Sequence, residues 1–317
     1  MKSIKVLKRA STAIADATTN QVPAVIFHGD CLKLLSQLPK QSVDFIISSP
    51  PYCMGKDYEQ TDDVDVLIKS HQVIFPLLID SLKKGGSLCW QVGFHAKDGL
   101  ITPLDYLVYD CLRLFPEMKL RNRIVWTFGH GLHCTNRFSG RHETVLWFTK
   151  GGSYHFNLDA VRIEQKYPGK RHASGSKKGQ LSGNPLGKNP GDVWEIPNVK
   201  ANHVEKTEHP CQFPVGLVHR LVRALTKPGD LVLDPFCGVA SSGVAALDVG
   251  RRFLGAELMD KYVIIGKQRL KDAACGEAEF RPAEKDIYVP DPNSSVARRP
   301  DPSEWTLQQN TEQLVAE

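Results

Sequence analysis

Short apolar runs alternate along this chain with segments whose apolar residues recur every three or four positions. The runs at 24–27, 43–48, 87–92, 120–128, 143–149, 231–234 and 252–257 are rich in Val, Ile, Leu and Phe and read as strands. Val43-Asp44-Phe45-Ile46-Ile47-Ser48 in particular predicts a buried strand. Between the runs, 32–38 reads as a short helix stopped by Pro39, and 64–83 as a longer one leading through Gly85-Gly86 into the next strand. Thr102-Pro103 supplies an N-cap and first-turn pair for a helix to Phe115. Leu217, Val218, Leu221, Val222 and Leu225 share one helical face ahead of the 231–234 strand, and 244–249 reads as helix again. This alternation predicts an α/β protein with a doubly wound, mainly parallel sheet and no internal repeat. Such sheets bind ligands beyond the carboxyl ends of their strands, and the two most unusual segments of the chain fall at such ends.

The first is Ser49-Pro50-Pro51-Tyr52, directly after the 43–48 run. Two prolines fix the backbone and remove two amide donors, so the carbonyls and side chains around them form a stiff acceptor platform beside an aromatic ring. An exocyclic base amine suits such a platform. Its lone pair is delocalised into the ring, and acceptors on its hydrogens push the nitrogen toward a nucleophilic geometry. The second segment is Asp234-Pro235-Phe236-Cys237-Gly238, followed by Val239-Ala240-Ser241-Ser242-Gly243. A Pro228-Gly229 turn, an apolar strand ending in an acid and a Gly loop opening a helix make the layout of a nucleotide-type cofactor site. About twenty residues on, Arg252–Glu257 ends in another carboxylate, placed to accept from ribose hydroxyls.

With both motifs in view the chain resembles the S-adenosylmethionine-dependent DNA amino-methyltransferases of the permuted, β-type order, in which [DNS]PP[YFW] precedes the DNA-recognition segment and FxGxG comes last. His28-Gly29-Asp30-Cys31-Leu32 is similar to the family's GD-x-L segment near the adenine, and His209-Pro210-Cys211-Gln212-Phe213-Pro214 to its HPxQKP segment. The likeness spans roughly residues 25–272. Three departures stand out: Ala240 replaces the last Gly of FxGxG, Ser241-Ser242 the usual Gly-Thr, and Phe213 the common Lys. The resemblance implies a Rossmann-like methyltransferase sheet with an inserted DNA-recognition segment. The halves would be a catalytic one at 23–150 and a cofactor-binding one at 209–275, with the insertion at 151–208, an N-terminal arm at 1–22 and an extended or disordered tail at 276–317.

Charge and composition refine this picture. With 317 residues, 41% hydrophobic and 24% charged, the chain can bury a sizeable core. No apolar h-region follows Lys2, Lys5, Lys8 and Arg9, and no run approaches the roughly 18 apolar residues of a membrane span, so a soluble, cytoplasmic, nucleoid-associated protein is expected. The cysteines at 31, 53, 89, 111, 134, 211, 237 and 275 include no C-x-x-C pair, which favours neither a disulfide framework nor a metal site. The net charge of +5 is mild, but its distribution is uneven. Between Val161 and Asn189, Arg162, Lys166, Lys170, Arg171, Lys177, Lys178 and Lys188 face Glu164 as the one acid. Within an insertion, Lys170, Arg171, Lys177 and Lys178, joined by Arg141, are expected to contact DNA, with disorder in the free state and with Tyr154, His155, Phe156 and Trp194 as a small core or stacking groups.

The activity that follows is methyl transfer from S-adenosyl-L-methionine to an exocyclic amine of double-stranded DNA. The base must first be extruded into a pocket, where Tyr52 would stack on it. For that role the face of the ring matters and the hydroxyl does not. Ser49 and the Pro50 carbonyl would accept the amine hydrogens, with Pro51 stiffening the loop. Asp30 and Glu257 are assigned to the cofactor's adenine and ribose, in an order left open. Asp234, Phe236 and Gly238 would wall its methionine part, and Cys31, Cys237, Phe213 and Ser241 complete the set. In the resembled family Ser at the first motif position accompanies N4-cytosine methylation, with N6-adenine the runner-up. A catalytically silent DNA-binding module on the same fold is the alternative from another class. A separate cognate restriction endonuclease is the implied partner, and both monomer and homodimer remain open.

Overall fold

The structure, a computed structural model, describes residues 4–18, 22–52, 63–129, 131, 133–287, 291 and 293–294. Strand β1 (Lys5–Leu7) and helix α1 (Ala10–Thr18) precede β2 (Ala24–His28), α2 (Cys31–Leu35), β3 (Val43–Ser48), α3 (Val64–Ser81) and β4 (Leu82–Val92). A hairpin of β5 (Phe94–Lys97) and β6 (Leu100–Pro103) leads to α4 (Leu104–Leu112), β7 (Met118–Thr127) and β8 (His142–Lys150). The chain continues through β9 (Val193–Glu195), α5 (Val215–Leu225), β10 (Leu231–Asp234), α6 (Ser241–Asp248), β11 (Arg252–Glu257) and α7 (Asp260–Cys275). These elements lie in the compact unit of residues 1–284, and residues 285–317 cluster separately. Within the latter, Asp291 closes a short turn by accepting from the amides of Asn293 at 2.8 Å and Ser294 at 2.9 Å.

Nine strands form one sheet in the order β1-β2-β11-β10-β3-β4-β8-β7-β9. Neighbours are parallel except around β8, which runs antiparallel to both β4 and β7. The apolar strands are covered on both faces, as parallel sheets require. Val43 and Ile46 of β3, Leu231 and Leu233 of β10, and Leu88, Trp90 and Val92 of β4 join the core beneath α1 to α4. Phe45 and Ile47, Val232 and Cys89 point the other way, into the core beneath α5 to α7. The doubly wound expectation is therefore met. From β3 the chain crosses through α3 to β4, and from the adjacent β10 it crosses through α6 to β11 on the opposite side. That divergence opens a crevice at the carboxyl ends of β3 and β10.

Local expectations differ from the structure where tertiary pairing overrides them. Residues read as an N-terminal arm instead form β1, paired with β2, and α1, whose Ala13, Ile14 and Ala17 are buried. Thr102 does not cap a helix, because it pairs with His95 in the β5–β6 hairpin, and α4 begins after Pro103 without a side-chain cap bond. That helix stops at Leu112, short of Phe115, since Pro116 disfavours a helical conformation in the residue before it. Helix α2 starts one residue early because the Asp30 carboxylate accepts from the Leu32 amide at 2.8 Å. In the insertion Arg171 bridges Leu181, Ile163 bridges Lys188, and β9 joins the sheet beside β7. Tyr154 and Phe156 pack on Trp147 of β8, while Trp194 is buried with the Arg220 guanidinium 5.0 Å above its ring. Cys53, Lys2 and most of the tail lie outside the described residues, but its first part does not. The Arg281 amide donates to Glu205 at 3.1 Å, and Phe280 packs on His219.

The strands flanking the crevice are tied directly. Ser48 at the end of β3 donates its hydroxyl to Asp234 at the end of β10, at 2.6 Å. Asp234 is fully buried and also accepts from the Ser242 hydroxyl at 2.5 Å and the Phe236 amide at 3.1 Å. Burial pushes its carboxyl up to about 6 in spite of these donors. Ser48→Ala would leave the buried carboxylate one donor short, and is expected to lower the unfolding free energy by about 1–3 kcal/mol in a urea titration. An unchanged midpoint would mean that the bond contributes nothing.

Candidate active site

A cleft of about 570 Å³ opens over the carboxyl ends of β3, β4, β10 and β11. Ser49, Pro50, Pro51 and Tyr52 line it from the loop after β3. Asp30 and Cys31 reach it from the β2–α2 junction, and Phe213 from the segment before α5. Phe236, Cys237, Gly238 and Ser241 form its wall from the β10–α6 loop, and Glu257 closes β11 beside them. Asp234 is the exception among the residues expected to act in catalysis or cofactor binding. It sits beneath the wall, bonded as described, and does not line the cleft.

At the end formed by the β10–α6 loop, Glu257 organises backbone. Its two carboxylate oxygens accept from the Gly238 amide at 3.0 Å and the Met259 amide at 2.8 Å, and burial raises its carboxyl above the usual range. Gly238 has φ of 52°, and a Cβ there would lie 3.2 Å from Nε2 of His209. Both the left-handed backbone and the nearby imidazole favour glycine here, which leaves a cradle of backbone facing the cleft. Ala240, at the position read as a replaced glycine, holds φ of 60°. Ser242 is committed to Asp234, so of the two serines it is Ser241 that faces the cleft, with the Arg269 guanidinium 3.0 Å from its hydroxyl. The His209 ring packs 4.4 Å from that of Tyr262, and burial pulls its pKa down to about 4, so it is neutral near pH 7.

At the other end, four side chains form a chain of hydrogen bonds. The Tyr52 hydroxyl lies 3.0 Å from Ser49 Oγ and donates to Gln91 Oε1 at 2.5 Å. Gln91, near the end of β4, donates its Nε2 to the Glu143 carboxylate at the start of β8. In its ionised form the Glu143 carboxylate can only accept, and it then fixes the direction of every bond behind it. Gln91 turns its amide nitrogen to Glu143 and its oxygen to Tyr52. With the tyrosine's hydrogen committed to Gln91, Ser49 donates to Tyr52 and keeps its lone pairs for the cleft. Burial raises the Glu143 carboxyl to about 7, partly offset by the Gln91 bond. It also holds the Tyr52 phenol well above its ordinary value, helped by the nearby Glu143.

The residues expected to touch DNA lie apart from this cleft. Lys170, Arg171, Lys177 and Lys178 are exposed on the turn that Arg171 and Leu181 close, with Arg171 Nη1 donating to the Gly179 carbonyl at 2.5 Å. Arg141 is half-buried just before β8, its Nη1 3.0 Å from the Gly140 carbonyl. The insertion does enter the cleft, but through Asn198, Val199 and Lys200.

The model of the DNA methylase family matches residues 43–268, which include both motifs and the insertion between them. The chain belongs to that family. It is 45% identical over 249 residues to the Type II methyltransferase M.BglII of Bacillus subtilis, covering 77% of this chain and 68% of that one. It is 31% identical to the DNA adenine methyltransferase YhdJ of Escherichia coli K12, over 80% of this chain and 85% of that protein. The fold is also similar to that of TTHA0409 from Thermus thermophilus, solved with S-adenosyl-L-methionine, at a TM-score of 0.57 and 24% identity, covering 80% of this chain and 97% of that one. S-Adenosyl-L-methionine is the methyl donor of this family of DNA methylases.

Several cleft residues of this DNA methylase carry no motif in the sequence. Gln91 closes an apolar run, and Glu143 opens one. Each reads alone as a strand end, and pairing of Gln91 with Val145 across β4 and β8 is what brings the two side chains together. His209 is visible in the sequence only as part of His209-Pro210-Cys211-Gln212. Trp126, Phe128 and Tyr262 look like ordinary core aromatics until the cleft assembles around them. Glu143 offers a direct check on this wall. Because its carboxyl is raised from 4.5 to about 7, folding favours the neutral form. The associated stabilisation is full below pH 4.5 and is lost as pH rises through 7. Glu143→Gln cannot ionise, so its stability relative to the parent should improve between pH 5 and pH 8, by up to about 3 kcal/mol. Urea midpoints that differ equally at both pH values would show an ordinary carboxylate.

Proposed function

We propose that this chain is a site-specific methyltransferase of a restriction–modification system that acts on the N4 amine of cytosine in double-stranded DNA. Transfer to an exocyclic amine is supported by the hydrogen-bond chain Ser49–Tyr52–Gln91–Glu143, which leaves Ser49 an acceptor facing the cleft, and the choice of cytosine rests on Ser at position 49, the first motif position. An amine donating to Ser49 Oγ and to the Pro50 carbonyl would have both hydrogens held, which leaves its nitrogen lone pair free to point along the cleft toward the Gly238 cradle. When bound, S-adenosyl-L-methionine supplies a methyl group on a positively charged sulfur. The groups that would hold it fit its chemistry: Glu257 and Asp30 for ribose and adenine, Ser241 for the carboxylate, and the Gly238 backbone with Phe236, Cys237, Cys31 and Phe213 for the apolar surface. Rate enhancement then comes from position and from fixed dipoles that need not reorient during transfer.

Tyr52 has two tasks in this account. Its ring would stack on the extruded base, and its hydroxyl holds Ser49 as an acceptor. The expectation that the hydroxyl is dispensable is therefore set aside, because it occupies the centre of the chain. N6-Adenine methylation is the second reading, favoured by the identity to YhdJ. Nucleosides from DNA methylated by the protein and resolved by mass spectrometry should contain N4-methylcytosine, and N6-methyladenine alone would replace the cytosine assignment with the second reading. In the same assay Tyr52→Phe should retain cofactor and DNA binding yet lose about fivefold in kcat, the value of one orienting hydrogen bond of about 1 kcal/mol. A variant as fast as the parent would show that the hydroxyl orients nothing.

Duplex affinity is assigned in part to Lys170, Arg171, Lys177 and Lys178. Replacing all four by Gln should flatten the dependence of log K on log salt by about 0.9 for each phosphate no longer neutralised. An identical slope would leave them a solvated face.

A further inference from the structure

The loop joining β7 to β8 carries an aromatic ring that the site described above does not use. Phe138 is 99% exposed, whereas the residues at the loop's two roots, Phe128 and Glu143, line the cleft. A phenyl ring so completely in water costs solvation free energy, and it makes the ring available to a partner that covers both of its faces. The loop around it is nevertheless braced. The Phe128 amide donates to the Arg141 carbonyl at 3.0 Å and closes the root, and the Cys134 amide donates to Ser139 Oγ at 3.0 Å next to the tip. On one side of Phe138 the Arg137 guanidinium lies 5.8 Å from the centre of the Phe94 ring. Two residues on the other side, the Gly140 backbone presses on that same ring, so closely that a Cβ would come within 2.6 Å of it. Both flanks are thus held on β5, and the ring projects into solvent between them.

We propose that Phe138 inserts into the base stack of bound duplex DNA and fills the space that the extruded target base leaves. This rests on the reading of the chain as a base-extruding DNA methyltransferase. Removing a base from a duplex breaks stacking on both of its faces, and an apolar side chain entering the gap restores part of it. Position and charge both fit that role. The ring belongs to a loop whose two ends form the wall of the pocket that would receive the base. Arg137 and Arg141 flank it, with the charge expected of a loop that lies against phosphates. Glu143, the acid nearest in sequence, faces inward to Gln91. The wedge would act on the equilibrium between stacked and extruded base, and so on the fraction of complexes poised to react.

The test uses the full chain and a duplex oligonucleotide carrying the sequence it methylates, mapped by modification-sensitive sequencing of plasmid from cells that express it. A twin duplex carries a pyrene nucleotide opposite the target base, whose broad ring itself fills the stack and holds the target base outside it, so that no gap is left for a wedge to fill. For Phe138→Ala, kcat/KM on the paired duplex is expected to fall by about tenfold or more, and on the twin by less than about threefold. Phe138→Trp should restore most of the loss on the paired duplex. The unfolding midpoint should be unchanged in both variants, since the ring lies in solvent. Equal losses on the two duplexes, or no loss on either, would overturn the wedge while leaving the methyltransferase reading intact. If the unaltered protein methylated neither duplex, the parent reading would fail and the wedge with it.

Discussion

Asp234 sits with no exposed surface at the end of β10, and its partner at the end of the adjacent β3, Ser48, is 186 positions away in sequence. An ionised carboxylate in such a place is tolerated only with donors around it, and Ser48, Ser242 and the Phe236 amide supply three. Each donor belongs to a different part of the machinery. Ser48 immediately precedes the Ser49–Tyr52 loop, Phe236 begins the cofactor wall, and Ser242 lies in the first turn of α6. The carboxylate therefore sets the height and direction of both loops relative to one another. Methyl transfer needs a nucleophile and an electrophile in line at close range, and this buried acid is what makes the distance between the two loops a property of the fold.

Above that tie the cleft divides by polarity. The end proposed for the cofactor is built from backbone amides and small residues ordered by Glu257, a surface that can approach a ligand closely. The end proposed for the base is built from a series of side-chain hydrogen bonds that begins at Glu143. The two ends use carboxylates differently. Glu257 turns its oxygens to amides, which fixes loops, while Glu143 turns one to a side-chain amide, which fixes the orientation of a hydroxyl two residues further along the chain of bonds. Burial raises both carboxyls, that of Glu143 to about 7.

Much of this was legible in the sequence because the motifs are local. Ser49-Pro50-Pro51-Tyr52 and Asp234–Gly238 each follow an apolar strand, and a doubly wound sheet must place both at the same edge. The parts that were not legible depend on long-range pairing. Thr102 is a good helix cap by type, but a strand partner claims it. β1 and β9 are three residues each, too short to show a period, and gain their hydrogen bonds from β2 and β7. Gln91 and Glu143 become neighbours only through the antiparallel register of β4 and β8. Composition does not register the bridges from Ile163 to Lys188 and from Arg171 to Leu181 within the basic stretch.

The most direct test is a crystal structure of the protein with a cofactor analogue and a duplex carrying its target sequence. It should show an extruded cytosine stacked on Tyr52, its amino nitrogen within hydrogen-bonding distance of Ser49 Oγ and the Pro50 carbonyl, and the analogue lying against Gly238 and Glu257. A base that remained in the helix, or an amine bonded elsewhere than to Ser49, would contradict this account.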